Sequence, residues 1–193
     1  MLRTIVAALG NPGKEYENTY HNAGILALEE LFGREAARAG DGAGKAPWKK
    51  HQGLFEYAEA GDAVFVRPLT YMNESGRAIR AALKKFGPSH LLSLSSRLII
   101  LHDDSDLPLG TFRISVARGP AGHKGVQSVI DALGTGEFVR IRIGIRDPQE
   151  RVRRKAGDFA LKQITKAHRK LLDDVFREIA DADPISRYTK TRS

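Results

Sequence analysis

Residues 4–24 read TIVAALGNPGKEYENTYHNAG, a short apolar run, a Gly-Pro turn and a polar lead into a helix. Thr4 to Leu9 is apolar, contains β-branched residues and is too short for a helix, which makes it a buried strand. It stops abruptly at Gly10-Asn11-Pro12-Gly13, a turn in which glycine supplies backbone freedom at two positions and proline fixes one φ. Asn11 therefore stands just past the C-terminal end of a strand, where open α/β sheets bind their ligands. Further on, His21 precedes Asn22, the predicted N-cap of a following helix. An amide and an imidazole thus converge on one crevice mouth, the candidate active site.

Working outward, Ile25, Leu28, Leu31 and Phe32 recur at helical spacing and predict a helix over Asn22–Arg38. A Gly-rich connector, Ala39–Lys45, follows. Leu54–Ala58 and Ala63–Pro68 read as a hairpin across Ala60-Gly61-Asp62. Ser75 is the predicted N-cap of a helix to Phe86 that Gly87-Pro88 stops. Arg97–Leu101 is a second buried strand, ending in His102-Asp103-Asp104-Ser105-Asp106. Thr111–Val116 alternates as a strand. The loop Ala117–Gly122 leads through His123-Lys124-Gly125 into a helix with Val126, Val129, Ile130 and Leu133 inward. Phe138–Ile145 alternates again, with Arg140 and Arg142 opposite its apolar face. From Arg151 the chain reads as helical and basic, through Arg153, Arg154, Lys155, Lys162, Lys166, Arg169 and Lys170, and it is expected to fray after Pro184. Strands alternating with helices predict one α/β domain over 1–193, a three-layer sandwich with a mixed twisted sheet and helices on both faces.

The bulk properties set the class. The 193 residues are 41% hydrophobic and 28% charged, an ordinary globular balance. With no cysteine there is no disulfide, no thiol nucleophile and no thiolate-held zinc. No apolar run is long enough to span a membrane, and the N-terminal apolar stretch is too short for a secretory signal, so a cytoplasmic protein is expected. A net charge of +8 favours a polyanionic partner, nucleic acid first, over scattered surface lysines.

Several chemistries are excluded by what is missing. The first turn lacks the Lys-Ser/Thr of a P-loop and the Gly-x-Gly-x-x-Gly of a dinucleotide fold, so no nucleotide cofactor is expected. No Gly-x-Ser-x-Gly elbow occurs, which removes the serine hydrolase reading. Asp103, Asp104 and Asp106 run into a Leu-Pro-Leu-Gly turn and read as a solvated turn with one functional carboxylate rather than a metal site. His51, His90 and His168 stand in polar surroundings and read as solvated. His102 and His123 flank the candidate loops as packing or supporting residues. His21, with Asp103 available at a neighbouring strand end, reads as a general base acting on water. Met72 reads as core, while Asn73 is either a turn or a site residue.

Four blocks, LGNPGKEYENTYHNAG, RPLTYMNESG, LHDDSDLPLG and RIRIGI, occur in this order and together closely resemble the bacterial-type peptidyl-tRNA hydrolase family from about Thr4 to Asp147. The resemblance implies a metal-free, cofactor-free enzyme that cleaves the ester between a peptide and the 3′-terminal ribose of tRNA. It implies a catalytic group of His21, Asp103 and Asn11. His21 is the base, Asp103 holds its tautomer, and Asn11 accepts a peptide N–H to tell a blocked α-amine from a free one. Tyr16, Tyr71 and Asn73 are implied to contact the 3′ end and the peptide, with Met72 on the floor and Arg142 on acceptor-stem phosphate. Arg140, Arg142 and the C-terminal lysines then form a basic face that reads charge rather than sequence. A monomer is expected.

The chain also departs from the family pattern. Its loop Arg118-Gly-Pro-Ala-Gly-His-Lys-Gly125 replaces a Gly-rich loop ending Gly-Gly-His-Asn-Gly, so Lys124 stands where Asn is usual. A protonated Lys cannot accept a hydrogen bond, and its charge lowers the basicity of a nearby imidazole. Tyr20 replaces the usual Arg before the histidine, and Arg146-Asp147 replaces the usual Gly and its successor. A catalytically weak relative acting as an RNA-binding factor is the alternative.

Overall fold

The first strand, β1 (Thr4–Ala8), is buried at every position, which is why its sequence shows no polar alternation. The computed structural model describes residues 3–40, 48–87, 97–149 and 159–189. The connector from residue 41, Pro88, His90 and the basic run Arg151–Lys155 lie outside the described residues.

Around β1 the sheet is ordered β2-β3-β4-β1-β5-β7-β6, with β2 (Lys49–His51), β3 (Phe55–Ala60), β4 (Ala63–Pro68), β5 (Leu98–Pro108), β6 (Phe112–Val116) and β7 (Val139–Arg146). The four central strands β4, β1, β5 and β7 are parallel, and the hairpin side and β6 are antiparallel. Helices α1 (Ala23–Ala39) and α4 (Lys166–Asp181) pack on Val6, Ala8, Ile99 and Leu101. Helices α2 (Ser75–Phe86) and α3 (Lys124–Leu133) pack on Ile5, Ala7, Leu9, Leu98 and Ile100. This is the expected three-layer α/β sandwich. Chain connections leave the neighbouring strands β1 and β4 for opposite faces, so the crevice where such sheets take ligands opens at their C-terminal ends, with the end of β5 on the other side of β1.

Close backbone approach builds that crevice. A Cβ on Gly24 would meet the Leu101 carbonyl oxygen at 2.5 Å and one on Gly10 would meet Asn22 Oδ1 at 2.8 Å, so only glycine lets α1 sit on both strand ends.

Five expectations need correction. β5 does not end at Leu101 but pairs on through Asp104 with Gly144 of β7, then shifts register before Pro108. Asp103 and Asp104 are consequently buried at 1% and 7% exposure instead of standing in a solvated turn. Arg140 and Arg142 do oppose the apolar face, yet they are buried, because α3 and the loop before it cover that side. Ser75 is the first residue of α2 rather than its cap; its hydroxyl donates to the Met72 carbonyl and closes the 3-10 turn Met72–Glu74. At the C-terminus, 159–165 is irregular and α4 starts at Lys166, while α5 (Pro184–Thr189) forms where fraying was expected because Ile185 is buried against the α1 side.

Candidate active site

His21 lies in the 3-10 turn Tyr20–Asn22 that leads into α1. Its Nδ1 is 2.8 Å from Oδ1 of Asp103, which follows Ile99 and Leu101 in strand parity and so faces the α1 side. An ionised carboxylate only accepts, so Nδ1 carries the hydrogen and donates, leaving the Nε2 lone pair as the free base. Burial pulls the His21 pKa down, but the charge of Asp103 and the hydrogen bond to it outweigh this and hold it above the ordinary value; Lys124 opposes them weakly. Burial also raises Asp103, and the two imidazoles beside it reverse that, leaving its carboxyl well below the usual carboxylate range.

The second imidazole belongs to His123, read from the sequence as a packing or supporting residue beside the candidate loops. His123 Nε2 is 2.9 Å from the same Asp103 Oδ1, and its ring centroid lies 5.2 Å from that of His21. Its Nδ1 accepts from the backbone N–H groups of Gly125 and Val126, capping α3 in place of a hydroxyl or amide. With Nδ1 accepting twice, the ring hydrogen sits on Nε2 and is donated to Asp103. This has a consequence for metals. His21, Asp103 and His123 offer three ligand atoms within 4.8 Å of one another. Ligation through His123 Nε2 would drive its hydrogen onto Nδ1, against two amide N–H groups, so the tautomer disfavours a bound cation. A third ring, His102, packs edge-on against His123 at 4.8 Å and donates from Nδ1 to the Asp103 carbonyl. Its complete burial holds its pKa far below the ordinary value, so it stays neutral.

Asn11 is bound on both sides. Its backbone N–H donates to Asn22 Oδ1 at 2.8 Å and its carbonyl accepts from Asn22 Nδ2 at 3.0 Å, so Asn22 braces the turn instead of capping α1. The Met72 N–H donates to Asn11 Oδ1 at 2.8 Å. The bond takes one of the two lone pairs of Oδ1, and Nδ2 is the half of the amide without a protein partner among the described residues.

Met72 is buried, as expected. Asn73 is exposed and shares with Lys124, Gln127, Ser128 and Asp131 a cavity of about 340 Å³. Tyr16 is half-buried at the end of the 3-10 turn Lys14–Tyr16, and Tyr71 is 55% exposed just before Met72. Arg142 is not a free cation: its Nε donates to Asp104 Oδ2 at 2.7 Å, with both side chains buried. A signal for that pair was present in the facing parity of Asp104 and Arg142, but it requires knowing that β5 and β7 are neighbours. His168, expected in solvent, bonds Tyr20 instead.

An imidazole oriented by a buried carboxylate, with Nε2 free of any serine partner among the described residues, is an arrangement able to take a proton from water, the chemistry of a hydrolase. The family model for peptidyl-tRNA hydrolase matches residues 5–191. The chain is 39% identical over 177 residues to a peptidyl-tRNA hydrolase of Sorangium cellulosum, covering 90% of this chain and 74% of that one. It is 40% identical over 183 residues to one from a Synechococcus strain, covering 92% and 83%. Among solved structures, a mutant of the peptidyl-tRNA hydrolase from Acinetobacter baumannii superposes with a TM-score of 0.78 at 25% identity, covering 98% of this chain and 89% of that one. The chain belongs to the peptidyl-tRNA hydrolase family.

Proposed function

We infer that this protein hydrolyses the ester between a peptidyl or N-blocked aminoacyl group and the 3′-terminal ribose of tRNA, with His21 as general base. The 2.8 Å contact between His21 Nδ1 and Asp103 Oδ1 carries this reading, because it leaves Nε2 free to take a proton from water. The water oxygen adds to the ester carbonyl carbon as its proton passes to Nε2. The tetrahedral intermediate then collapses, the bond to the ribose oxygen breaks, and the imidazolium returns the proton to that oxygen. Free peptide and free tRNA leave, and no metal or cofactor takes part.

Asn11 and Asn73 supply amide donors. Asn73 faces the developing oxyanion, a type of contact worth about 3–4 kcal/mol. Asn11, with Oδ1 held by Met72, offers Nδ2–H to the carbonyl of the group that blocks the α-amine, a carbonyl that a free aminoacyl ester lacks. Met72 lines the floor, and Tyr16 and Tyr71 give flat surfaces to the tRNA 3′ end. Lys124 meets phosphate. Arg142, neutralised by Asp104, supports this wall rather than binding the acceptor stem itself. The protein acts in the cytoplasm as a monomer of one domain; no described helix is long and apolar enough to cross a membrane. The changed loop and the basic charge are what the RNA-binding alternative rests on, and the relatives and the superposed structure, peptidyl-tRNA hydrolases matched over most of the chain, support the hydrolase reading over it.

Cleavage of N-acetyl-aminoacyl-tRNA by purified protein tests the reading. His21→Ala is expected to lower turnover by ~10²–10⁴-fold, the usual contribution of a general base. Full turnover in that variant overturns the base assignment.

A further inference from the structure

The turn that carries His21 holds three consecutive residues, each tied to a different part of the fold. His21 reaches Asp103 on β5, and Asn22 braces Asn11 after β1. Tyr20 turns toward α4 instead, where its hydroxyl lies 2.6 Å from Nδ1 of His168. The backbone here is also anchored, but along one line. The His21 N–H donates to the Ala160 carbonyl at 2.7 Å, the Tyr20 N–H to that of Lys162 at 3.3 Å, and the Ile164 N–H to that of Asn18 at 2.8 Å. Such a row fixes where the segment sits while leaving it able to roll about the row. A side-chain bond on the α4 side resists that roll, and any roll displaces the imidazole on the sheet side.

The Tyr20 ring is buried in the core on the α1–α4 side, and one edge of it borders open space. Phe159 and His168 meet it edge-on at 6.2 and 5.9 Å, and beside it lies a cavity of about 370 Å³ lined by Asp147, Lys162 and Thr165 as well. Thr165 also stands within hydrogen-bond reach of Tyr20, so loss of the His168 bond shifts the ring toward the cavity rather than freeing it. The polarity of the bond is also defined. Burial raises the pKa of Tyr20 and keeps the phenol protonated; Asp147 Oδ2 stands 3.8 Å from His168 Nε2, which favours the ring hydrogen on Nε2 and so leaves Nδ1 to accept from the phenol.

We propose that Tyr20, through its hydroxyl bond to His168, is a positioning residue that holds His21 where Nε2 meets the attacking water. This rests on His21 being the base. Tyr20 touches neither substrate nor water; it acts through the turn it shares with His21.

The test is a double-mutant cycle of Tyr20→Phe and His168→Leu in steady-state cleavage of N-acetyl-aminoacyl-tRNA, with His21→Ala alongside. An ångström of misplacement costs ~100-fold, so a partial roll predicts a fall in kcat of roughly 3- to 30-fold in each single variant. KM stays within about twofold, because the substrate wall is not moved. The double variant falls no further than either single one, since both remove the same bond. His168→Gln, whose side-chain oxygen accepts the phenol hydrogen, recovers most of the lost rate. The His21 Nδ1–H proton resonance moves in Tyr20→Phe and returns toward its place in His168→Gln. Unchanged kcat in Tyr20→Phe overturns the proposal, as do losses that multiply in the double variant. So does a loss that merely follows the folded fraction seen by circular dichroism. If His21→Ala is inactive while Tyr20→Phe is normal, the positioning role alone fails; if His21→Ala keeps full turnover, the base assignment fails with it.

Discussion

Asp103 and Asp104 are sequence neighbours on one strand, both buried, and the fold gives them opposite kinds of partner. Asp103 faces the α1 side and takes two imidazoles on one oxygen. Asp104 faces the α3 side and takes the guanidinium of Arg142. Arg does not lose its proton in a protein, so the second pair is a fixed strut. Imidazole gains and loses a proton near neutral pH, so the first pair holds a group that must change state. Strand parity thus separates a chemical device from a structural one by a single residue.

The comparison breaks most sharply if the two carboxylates are neutralised in turn. Asp103→Asn removes the acceptor that sets the His21 tautomer, and kcat should fall toward the ~10⁴-fold lost when a serine protease triad is altered the same way. The fold should persist. Asp104→Asn leaves a buried guanidinium uncompensated, and urea or thermal melts should show a loss of about 3–5 kcal/mol. Turnover per folded molecule should change little. The reverse pattern, stability lost at Asp103 and rate lost at Asp104, would overturn the division.

The pH dependence sharpens the same contrast. On the proposed role of His21, the base works when the imidazole is neutral, and its pKa is raised, so the acidic limb of kcat/KM is expected above about 6.5. The raised imidazole contributes stability that is fully present below its unfolded value and is lost as pH rises through the folded one. The depressed Asp103 contributes stability that is present above the ordinary carboxylate range and is lost as pH falls below it. The pair therefore stabilises most between about 4 and 6.5, below the range in which it catalyses. His123→Asn probes the shared oxygen. Asn can still cap α3, so stability should hold. Asp103 then serves His21 alone, and the acidic limb should move to higher pH with a rate change under about tenfold. A limb that stays put would mean that His123 caps the helix and does nothing for the base.

Much of this was legible in the sequence because it is local. A buried strand broken by Gly10-Asn11-Pro12-Gly13, with His21 entering a helix, is visible in one stretch, and the alternation of strands and helices implied the layers. The misses concern pairings between distant segments. The Asp104–Arg142 bond joins residues 38 apart through neighbouring strands, and without that adjacency charged residues read as solvated. His123 is legible as a supporting residue beside the loop, but its capping of α3 is not, because caps are sought among Ser, Thr, Asp and Asn. Ser75 misled for the converse reason: it is a good capping residue whose hydroxyl was taken by the preceding turn. The place of Asn11 past β1 is legible in the sequence, whereas the Met72 N–H that holds its Oδ1 is not, because that bond joins residues 61 apart.

The smallest expected effect concerns Lys124, the first residue of α3 and exposed beside Asn73. Its charge lowers the His21 pKa only weakly, behind burial and the two contributions of Asp103. Lys124→Asn should therefore raise the acidic limb slightly while leaving kcat on the plateau near its starting value. Binding is the more informative readout. If the ammonium meets a phosphate, the slope of log K against log salt should become shallower by about 0.7–0.9, one counterion's worth. Asp131 lines the same cavity and is the competing partner. An unchanged slope together with a raised limb would mean that the ammonium rests on protein and acts on His21 alone, so Lys124 would belong with the groups that tune the base rather than with those that hold the tRNA.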